Sequence, residues 1–475
     1  MTPQPRLAWI CWLAALAACA PATKPVTNHA LVAASDPGLV EMTAEPTTSL
    51  ILANAATELG VRVRITAHDL PAAQRPPLDL ALVLDTSGSM EGQPIDALRL
   101  SARELASKLR DGDRLSVVVF HSKTELLVPS VVVGPNNRAS IDRAISTIHA
   151  TGTTDLAGGL SMGLAQLRSS LLPSGINRIV LLSDGVPNSS TDLPQLVTSI
   201  RSSGVSVTSL GFGGDYDTAL MTQIARDTGG AFHYLEQASD VAAVFDSELA
   251  KMTTSVARNM QLVIEPGPGV TIPAMPGLSA RGDGTYYAMI GDLPAGDTRD
   301  LMIPVQVTAR GEGSTAELVQ ATLSFEDVIG HSGARSRDAF VAAKTSRDTV
   351  AIKAAIKIDL EVARIRTSAA AAILQAINLA RSGQIQQARQ SLATATATVK
   401  AAVAKYKGAE LEQLLHQLET VEKEIAQIVA AAQEPVQELA SKKPAAKMPA
   451  TAPSRAVESD LRRVEERAST TMSGQ

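Results

Sequence analysis

The sequence of 475 residues predicts a multidomain protein: a doubly wound α/β domain, inserted in or flanked by a β-sandwich and followed by a C-terminal α-helical region. Three observations lead to this fold class. Residues 76–252 alternate short apolar runs with helical patterns, which is typical of a parallel sheet covered by helices. Residues 257–344 read as short strands separated by Pro/Gly turns. Residues 346–436 are rich in Ala and poor in Gly and Pro, which favours helices.

Residues 1–18 have the pattern of a secretory signal peptide. Arg6 supplies positive charge, and the apolar stretch from residue 7 to residue 18 is shorter than the roughly 20 residues that span a bilayer. It leads into Leu16-Ala17-Ala18-Cys19, which resembles a bacterial lipobox; an ordinary signal peptide with an unmodified cysteine is the alternative. The resemblance implies lipidation of Cys19, and Ala20 after it implies the outer membrane of a Gram-negative cell envelope.

The composition narrows the classes of partner. The only cysteines are Cys11 and Cys19, and cleavage before Cys19 would leave a mature protein with no disulfide and no free thiol. Stability must then come from the cores, or from metal and partners. The net charge of −5 and the lack of basic clusters with interleaved aromatics argue against nucleic acid as a partner.

Residues 19–47 are rich in Pro, Thr and Ala and predict a tether. Residues 48–75 contain two strand patterns, at 49–52 and 60–66, that are expected to belong to the sandwich. Pro71, Pro76 and Pro77 then break the chain before the α/β domain.

The α/β domain is predicted to occupy residues 76–252. Its strands are expected at residues 78–84, 115–120, 126–133, 178–183, 205–212 and 231–235, and its helices near residues 94–109, 141–148, 156–172 and 241–252. Open sheets of this kind bind ligands at the carboxyl ends of their strands.

Five polar side chains are expected at that edge of the sheet. Asp85, Ser87 and Ser89 directly follow the first strand, and Asp184 follows the apolar run 178–183. Thr154 lies in a loop between them. All five offer oxygen, and none offers nitrogen or sulfur. Oxygen ligands are those of a hard cation, so the sequence predicts a divalent-cation site with Mg²⁺ as the first candidate and Mn²⁺ or Ca²⁺ as alternatives.

The same residues resemble the von Willebrand factor type A (VWA) domain. The motif Asp-x-Ser-x-Ser at 85–89, Thr154 and the run Ser183-Asp184-Gly185 are similar to that family's metal-ion-dependent adhesion site. The resemblance covers residues 76–252. It implies that the two serines and the threonine touch the metal, that the aspartates bind it directly or through water, and that a carboxylate of the bound partner completes the coordination.

Other interpretations of the motif are weaker. Asp85-Thr86-Ser87-Gly88 echoes the loop of aspartic proteases, but an extra Ser intervenes and no second such loop exists. A serine nucleophile would need a partnered His and acid, and the histidines at 121, 149 and 233 form no recognisable triad pattern. A polar turn that caps a helix is the remaining structural alternative. We therefore expect no catalytic residues and no enzyme activity.

The helical region, residues 346–436, is predicted to contain a hairpin that turns at Gly383 and is faintly similar to a tetratricopeptide unit. Residues 437–475 are predicted to be a linker and a charged tail. The tripeptide Arg281-Gly282-Asp283 is expected to be a tight turn, and Asp215 with Asp217 an exposed acidic loop and not a second cation site.

Together these features predict a lipid-anchored cell-envelope protein. It would bind a protein partner that offers Asp or Glu to the cation, and its membrane contact would be the lipid on Cys19. The alternative function is an accessory VWA subunit of a larger enzyme or of a secretion or assembly machine.

Overall fold

The computed structural model describes residues 38–439, except residues 70–74, 213–215, 238 and 331–332. The predicted signal peptide, Cys19, Asp215 and the linker and tail from residue 440 lie outside the described residues. Within the described residues, no helix combines the length and the apolarity that a membrane crossing requires.

Three strands precede the α/β domain: β1 (Val40–Pro46), β2 (Leu50–Leu52) and β3 (Ala56–Ala67). β1 pairs antiparallel with β3 along its whole length. The prediction of a tether as far as residue 47 is therefore wrong for residues 40–46. Val40, Met42 and Ala44 alternate with polar residues and pack on one hydrophobic core, which is the pattern of a half-buried strand.

The α/β domain follows in a regular alternation of strands and helices. Its elements are β4 (Leu78–Asp85), a short 3-10 helix (Gly88–Met90), α1 (Gln93–Lys108), β5 (Arg114–Phe120), β6 (Thr124–Val132), α2 (Arg138–Ser146), α3 (Leu156–Arg168), β7 (Ile176–Ser183), α4 (Leu193–Ser202), β8 (Ser206–Phe212), α5 (Thr218–Thr228), β9 (Phe232–Leu235) and α6 (Asp240–Thr254). The apolar pattern of the sequence does not predict helices α4 and α5.

These strands form one six-stranded sheet in the order β6-β5-β4-β7-β8-β9. All neighbours pair in parallel except β6, which runs antiparallel to β5. Every residue of β4 and β7 is buried, because an apolar core covers each face of the sheet. The two central strands therefore present only their ends to solvent, and their carboxyl ends carry the predicted site.

Helix α3 packs unusually close to the sheet. A Cβ at Gly159 would lie 2.6 Å from Phe120 Cδ1, and one at Gly163 would lie 2.6 Å from Val83 Cγ2. Real side chains do not approach so closely, so glycine at both positions lets the helix backbone rest on β4 and β5. The helix begins directly after Thr154 and Asp155, so this packing fixes the position of the predicted site loop.

After the α/β domain come β10 (Ser255–Pro266), β11 (Val270–Thr271), β12 (Ser279–Ala280), β13 (Tyr286–Pro294), β14 (Thr298–Thr308), β15 (Thr315–Asp327) and β16 (Gly333–Ser346). They form two sheets with the first three strands, in the orders β1-β3-β14-β11 and β12-β13-β10-β15-β16-β2. Residues from both sheets contribute to one hydrophobic cluster. Because β3 pairs with β14, strands from either side of the α/β domain lie side by side.

The C-terminal helical region is confirmed. It contains α7 (Thr349–Ala354), α8 (Ile358–Arg381), α9 (Ile385–Tyr406) and α10 (Ala409–Leu439). The hairpin between α8 and α9 turns at Gly383, whose φ of +79° suits a residue without a side chain. α10 continues to Leu439, slightly beyond the predicted start of the linker at residue 437.

A buried ion pair and hydrogen bonds from a buried arginine join the α/β domain to the flanking sheets. Arg178 of β7 donates to Asp292 of β13, and both side chains are almost fully buried. Arg258 of β10 donates to the carbonyl oxygens of Leu172 and Pro173, in the loop before β7. These contacts lie at the amino end of β7, opposite the end that carries Asp184.

Candidate metal site

The parallel pairing of β4 with β7 brings two site loops together. Asp85 is the last residue of β4, and Ser183 is the last residue of β7. Asp85 is fully buried and accepts hydrogen bonds from the Ser183 hydroxyl (2.5 Å) and from the backbone N–H of Ser87 (2.8 Å). These contacts fix the Asp85 carboxylate beneath the loop that carries the two serines.

Three of the predicted ligands converge directly. The Ser89 hydroxyl lies 2.8 Å from Asp184 Oδ1, and the Ser87 hydroxyl lies 3.4 Å from the same oxygen. The two serine hydroxyls are 3.0 Å apart. One carboxylate oxygen and two hydroxyl oxygens from separate loops thus form a compact group, with Ser89 exposed and Ser87 buried.

Thr154 lies beside this group on a third loop. Its carbonyl oxygen accepts from the backbone N–H of Asn188 (3.0 Å), and the N–H of Gly88 donates to Gly152 O (3.0 Å). A Cβ at Gly185 would lie 2.8 Å from Thr154 Oγ1, so the residue after Asp184 must be small. Thr154 is only 6% exposed. Its hydroxyl has no hydrogen-bond partner in the part of the chain that the structure describes.

The site concentrates negative charge. Burial raises the pKa of Asp184 to about 6, and the nearby charge of Asp85 adds to that shift. Burial also raises the pKa of Asp85, against the opposing effect of hydrogen bonds from Ser183 and Ser87. Neither carboxylate forms an ion pair with a described Lys, Arg or His. A cation between them would stabilise the ionised form of both.

The side chains present fit a hard divalent cation. Two carboxylates and three hydroxyls provide only oxygen, and the hydroxyl of the largely buried Thr154 is still available as a ligand. Among the described residues, no group of three or more His, Cys, Asp or Glu side chains gathers in metal-binding geometry. Any cation held here would therefore depend on the hydroxyls as well as on Asp85 and Asp184.

Two further residues contact the site. Ser183 donates to Asp85, and Asn188 contacts the Thr154 loop. Ser183 belongs to the run Ser183-Asp184-Gly185, and its position next to Asp184 indicates a place near the site. Asn188 lies in a loop with no motif of its own, and only the folded arrangement reveals its contact.

The alternative sites are explained by local contacts. His121 contacts Glu125, His149 contacts the carbonyl oxygen of Thr147, and His233 contacts Glu248. Among the described residues, none of these imidazoles is hydrogen-bonded to a serine hydroxyl, which is the contact that a serine nucleophile would require. Asp217 accepts from the N–H of Leu220 and caps α5. Asp283 accepts from the N–H and the hydroxyl of Thr285, as in a tight turn.

Comparisons with known proteins support the prediction of a von Willebrand factor type A domain at the centre of the chain. Residues 79–247 match the model of the von Willebrand factor type A domain. The chain is 30% identical over 214 residues to the uncharacterized protein YfbK of Escherichia coli, covering 44% of this chain and 37% of that protein. It is 30% identical over 178 residues to human inter-alpha-trypsin inhibitor heavy chain H4, covering 35% of this chain and 19% of that protein. The chain thus spans less than half the length of these relatives.

Two solved structures share more of the architecture. A von Willebrand factor type A protein from Catenulispora acidiphila superposes with a TM-score of 0.64 at 19% identity, covering 80% of this chain and 89% of that one. The ArnB paralog VWA2 from Sulfolobus acidocaldarius gives 0.55 at 16% identity, covering 91% and 99%. At these identities the likeness shows the fold alone.

Proposed function

Because residues 79–247 form a von Willebrand factor type A domain, we propose that this protein binds a partner protein through a divalent cation. The ligands would be Asp85, Ser87, Ser89, Thr154 and Asp184. The partner would supply an aspartate or glutamate carboxylate to complete the coordination. Mg²⁺ is the first candidate, with Mn²⁺ and Ca²⁺ as alternatives.

The convergence of Ser87, Ser89 and Asp184 is the observation that carries the proposal. The carboxylates of Asp85 and Asp184 are buried at the base of the site, whereas Ser89 is exposed to solvent at its opening. A partner can therefore reach the hydroxyl side of the site and cannot reach Asp85. A carboxylate of the partner would have to approach from this exposed side in order to complete the coordination.

The ligand types favour binding of an acidic group. A bound divalent cation would supply positive charge at the mouth of the site. Ser87, Ser89 and Thr154 are neutral and leave much of that charge uncompensated. Ser183 holds Asp85 in place through its hydrogen bond, so the carboxylate need not reorganise when the site is filled.

We also propose that the protein is anchored in the cell envelope by a lipid on Cys19, in the outer membrane of a Gram-negative cell. The support is the sequence alone: the apolar stretch and Leu16-Ala17-Ala18-Cys19. Several acyl chains would give a stable anchor, at about 0.8 kcal/mol per buried CH₂. This location would place the VWA domain where it can meet other envelope proteins.

A capture experiment tests the proposed function. The immobilised protein is exposed to envelope extract in millimolar Mg²⁺ or in chelator, beside its Ser89→Ala variant. We expect a partner that the wild type retains in Mg²⁺ and loses in chelator, and that the variant does not retain. Capture that is equal in all three conditions would contradict the proposal. It would favour the alternative, an accessory subunit that docks on a larger machine through another surface.

A further inference from the structure

A chain of polar contacts ties together three loops at the mouth of the candidate site. The Asn188 side-chain amide donates to Thr153 Oγ1 (3.1 Å), and the Thr153 hydroxyl donates to Ser122 Oγ (3.2 Å). The N–H of Thr153 donates to the same oxygen of Ser122 (2.9 Å). Ser122 belongs to the hairpin between β5 and β6, and Thr153 precedes Thr154 in the loop before α3. Asn188 follows Asp184 in the loop after β7.

Two glycines allow the three loops to approach so closely. Gly152 has a φ of +73°, and a Cβ there would lie 2.4 Å from Ser122 Oγ. A Cβ at Gly185 would lie 2.8 Å from Thr154 Oγ1. Any side chain at either position would push the Thr154 loop away from its neighbours. The close approach is therefore a specific feature of this part of the fold.

The Thr154 hydroxyl is not oriented by a hydrogen bond of its own within the described residues. Its position must be set by the backbone of its loop. Asn188 contacts that loop twice, through its backbone N–H to Thr154 O (3.0 Å) and through its side-chain amide to the Thr153 hydroxyl (3.1 Å). Only the second contact depends on the Asn188 side chain. Asn188 thus links the loop of Thr154 to the loop of Asp184.

These side-chain contacts lie at the surface. Ser122, Thr153 and Asn188 are all exposed, and exposed hydrogen bonds between neutral groups exchange readily with water. They are therefore poorly placed to stabilise the fold. They do join the loop of Thr154 to the loops of Ser122 and Asp184, and so favour one arrangement of these loops over others.

We propose that Asn188 is a positioning residue of the cation site, acting through Thr153 on the Thr154 hydroxyl. This inference rests on the proposed function, because it assumes that the site binds a divalent cation. Partners of this kind that orient metal ligands typically change metal affinity by about 10- to 100-fold when they are removed. The Asn188 contact is one step further from the cation, so we expect an effect near the lower end of that range.

The test is titration of Mn²⁺ into the purified protein, followed by calorimetry, for the wild type, Asn188→Ala, Thr153→Val and the double variant. We expect each single variant to bind Mn²⁺ about 10-fold more weakly than the wild type. The double variant should be no weaker than Thr153→Val, because that change already removes the contact with Asn188 as well as the one with Ser122. Ser189→Ala is the matched control, since its hydroxyl lies near Thr191 in its own loop, and it should bind as the wild type does.

Thermal unfolding in chelator separates a positioning role from a structural one. We expect the metal-free midpoints of Asn188→Ala and Ser189→Ala to match that of the wild type. If the wild type and the single variants bind Mn²⁺ equally well, the inference about Asn188 is wrong, while the proposed function is unaffected. A clear drop in the metal-free midpoint of Asn188→Ala would also overturn the inference, by showing a structural role. A wild type that binds no Mn²⁺ would overturn both proposals.

Discussion

The hydroxyl of Ser89 lies 2.8 Å from Asp184 Oδ1, although the two residues are 95 positions apart in the sequence. The contact exists because β4 and β7 are parallel neighbours at the centre of the sheet and end at the same edge. It joins an exposed hydroxyl to a buried carboxyl group. The proposed cation site depends on this pairing.

Asp79 makes the stability of the protein depend on pH. It is fully buried at the start of β4, and burial raises its pKa from 3.8 to about 6. A carboxyl with a raised pKa contributes stability below its unfolded value, and that stability is lost as the pH rises through about 6. The change in pKa from 3.8 to about 6 corresponds to about 3 kcal/mol in the free energy of unfolding, at about 1.36 kcal/mol per pKa unit.

We therefore expect Asp79→Asn to be more stable than the wild type at pH 7.5, by up to about 3 kcal/mol, and equally stable near pH 4. Urea unfolding in chelator at both pH values measures this. The amide can still accept the hydrogen bond from Ser170 that the carboxylate accepts now. Parallel pH profiles for the two proteins would contradict the raised pKa.

Gly159 should tolerate no side chain. A Cβ there would lie 2.6 Å from the Phe120 ring, so Gly159→Ala must push α3 off the sheet or displace the ring. We expect a loss of about 1 to 3 kcal/mol, visible as a lower thermal midpoint. Gly311→Ala is the control, because nothing lies within 4 Å of the added methyl group. Equal midpoints for the two variants would show that α3 packs less closely than described.

The buried pair of Arg178 and Asp292 should hold the α/β domain on the flanking sheets. Asp292→Ala removes the nearer carboxylate of the Arg178 guanidinium, which is 7% exposed, and leaves only Glu248 at 3.8 Å. Breaking a buried pair in this way typically costs about 3 to 5 kcal/mol. Thermal unfolding measures the loss. Asp142→Ala removes an exposed pair with Arg103 and should change the midpoint little; similar midpoints for both variants would show that the buried pair is dispensable.

Lipidation of Cys19 should determine whether the protein is attached to the membrane. In cells fed radiolabelled palmitate, we expect the wild type to carry the label and to sediment with membranes. Cys19→Ser should carry no label and leave the membrane fraction, because its hydroxyl cannot take the place of the thiol. A labelled Cys19→Ser variant, or an unlabelled wild type, would contradict lipidation at this residue.

The strands that precede the site residues could be predicted from the sequence. The contacts between the loops around the site could not. Continuous apolar runs before Asp85 and Asp184 are required by a sheet covered on both faces, so their sequence signal is strong. The sequence of β1 resembles a tether, because Pro and Thr surround it and only three apolar residues alternate along it. The contact of Asn188 with Thr153 joins two irregular loops, and no periodicity in the sequence encodes such a contact.

Calorimetric titration of Mg²⁺ into the purified protein tests the central claim most directly. We expect one ion to bind per chain at or below millimolar concentration, and we expect binding to be lost in Asp184→Asn and strongly weakened in Ser89→Ala. Mn²⁺ and Ca²⁺ should be tested in the same way. A wild type that takes up none of the three ions at millimolar concentration would contradict the account.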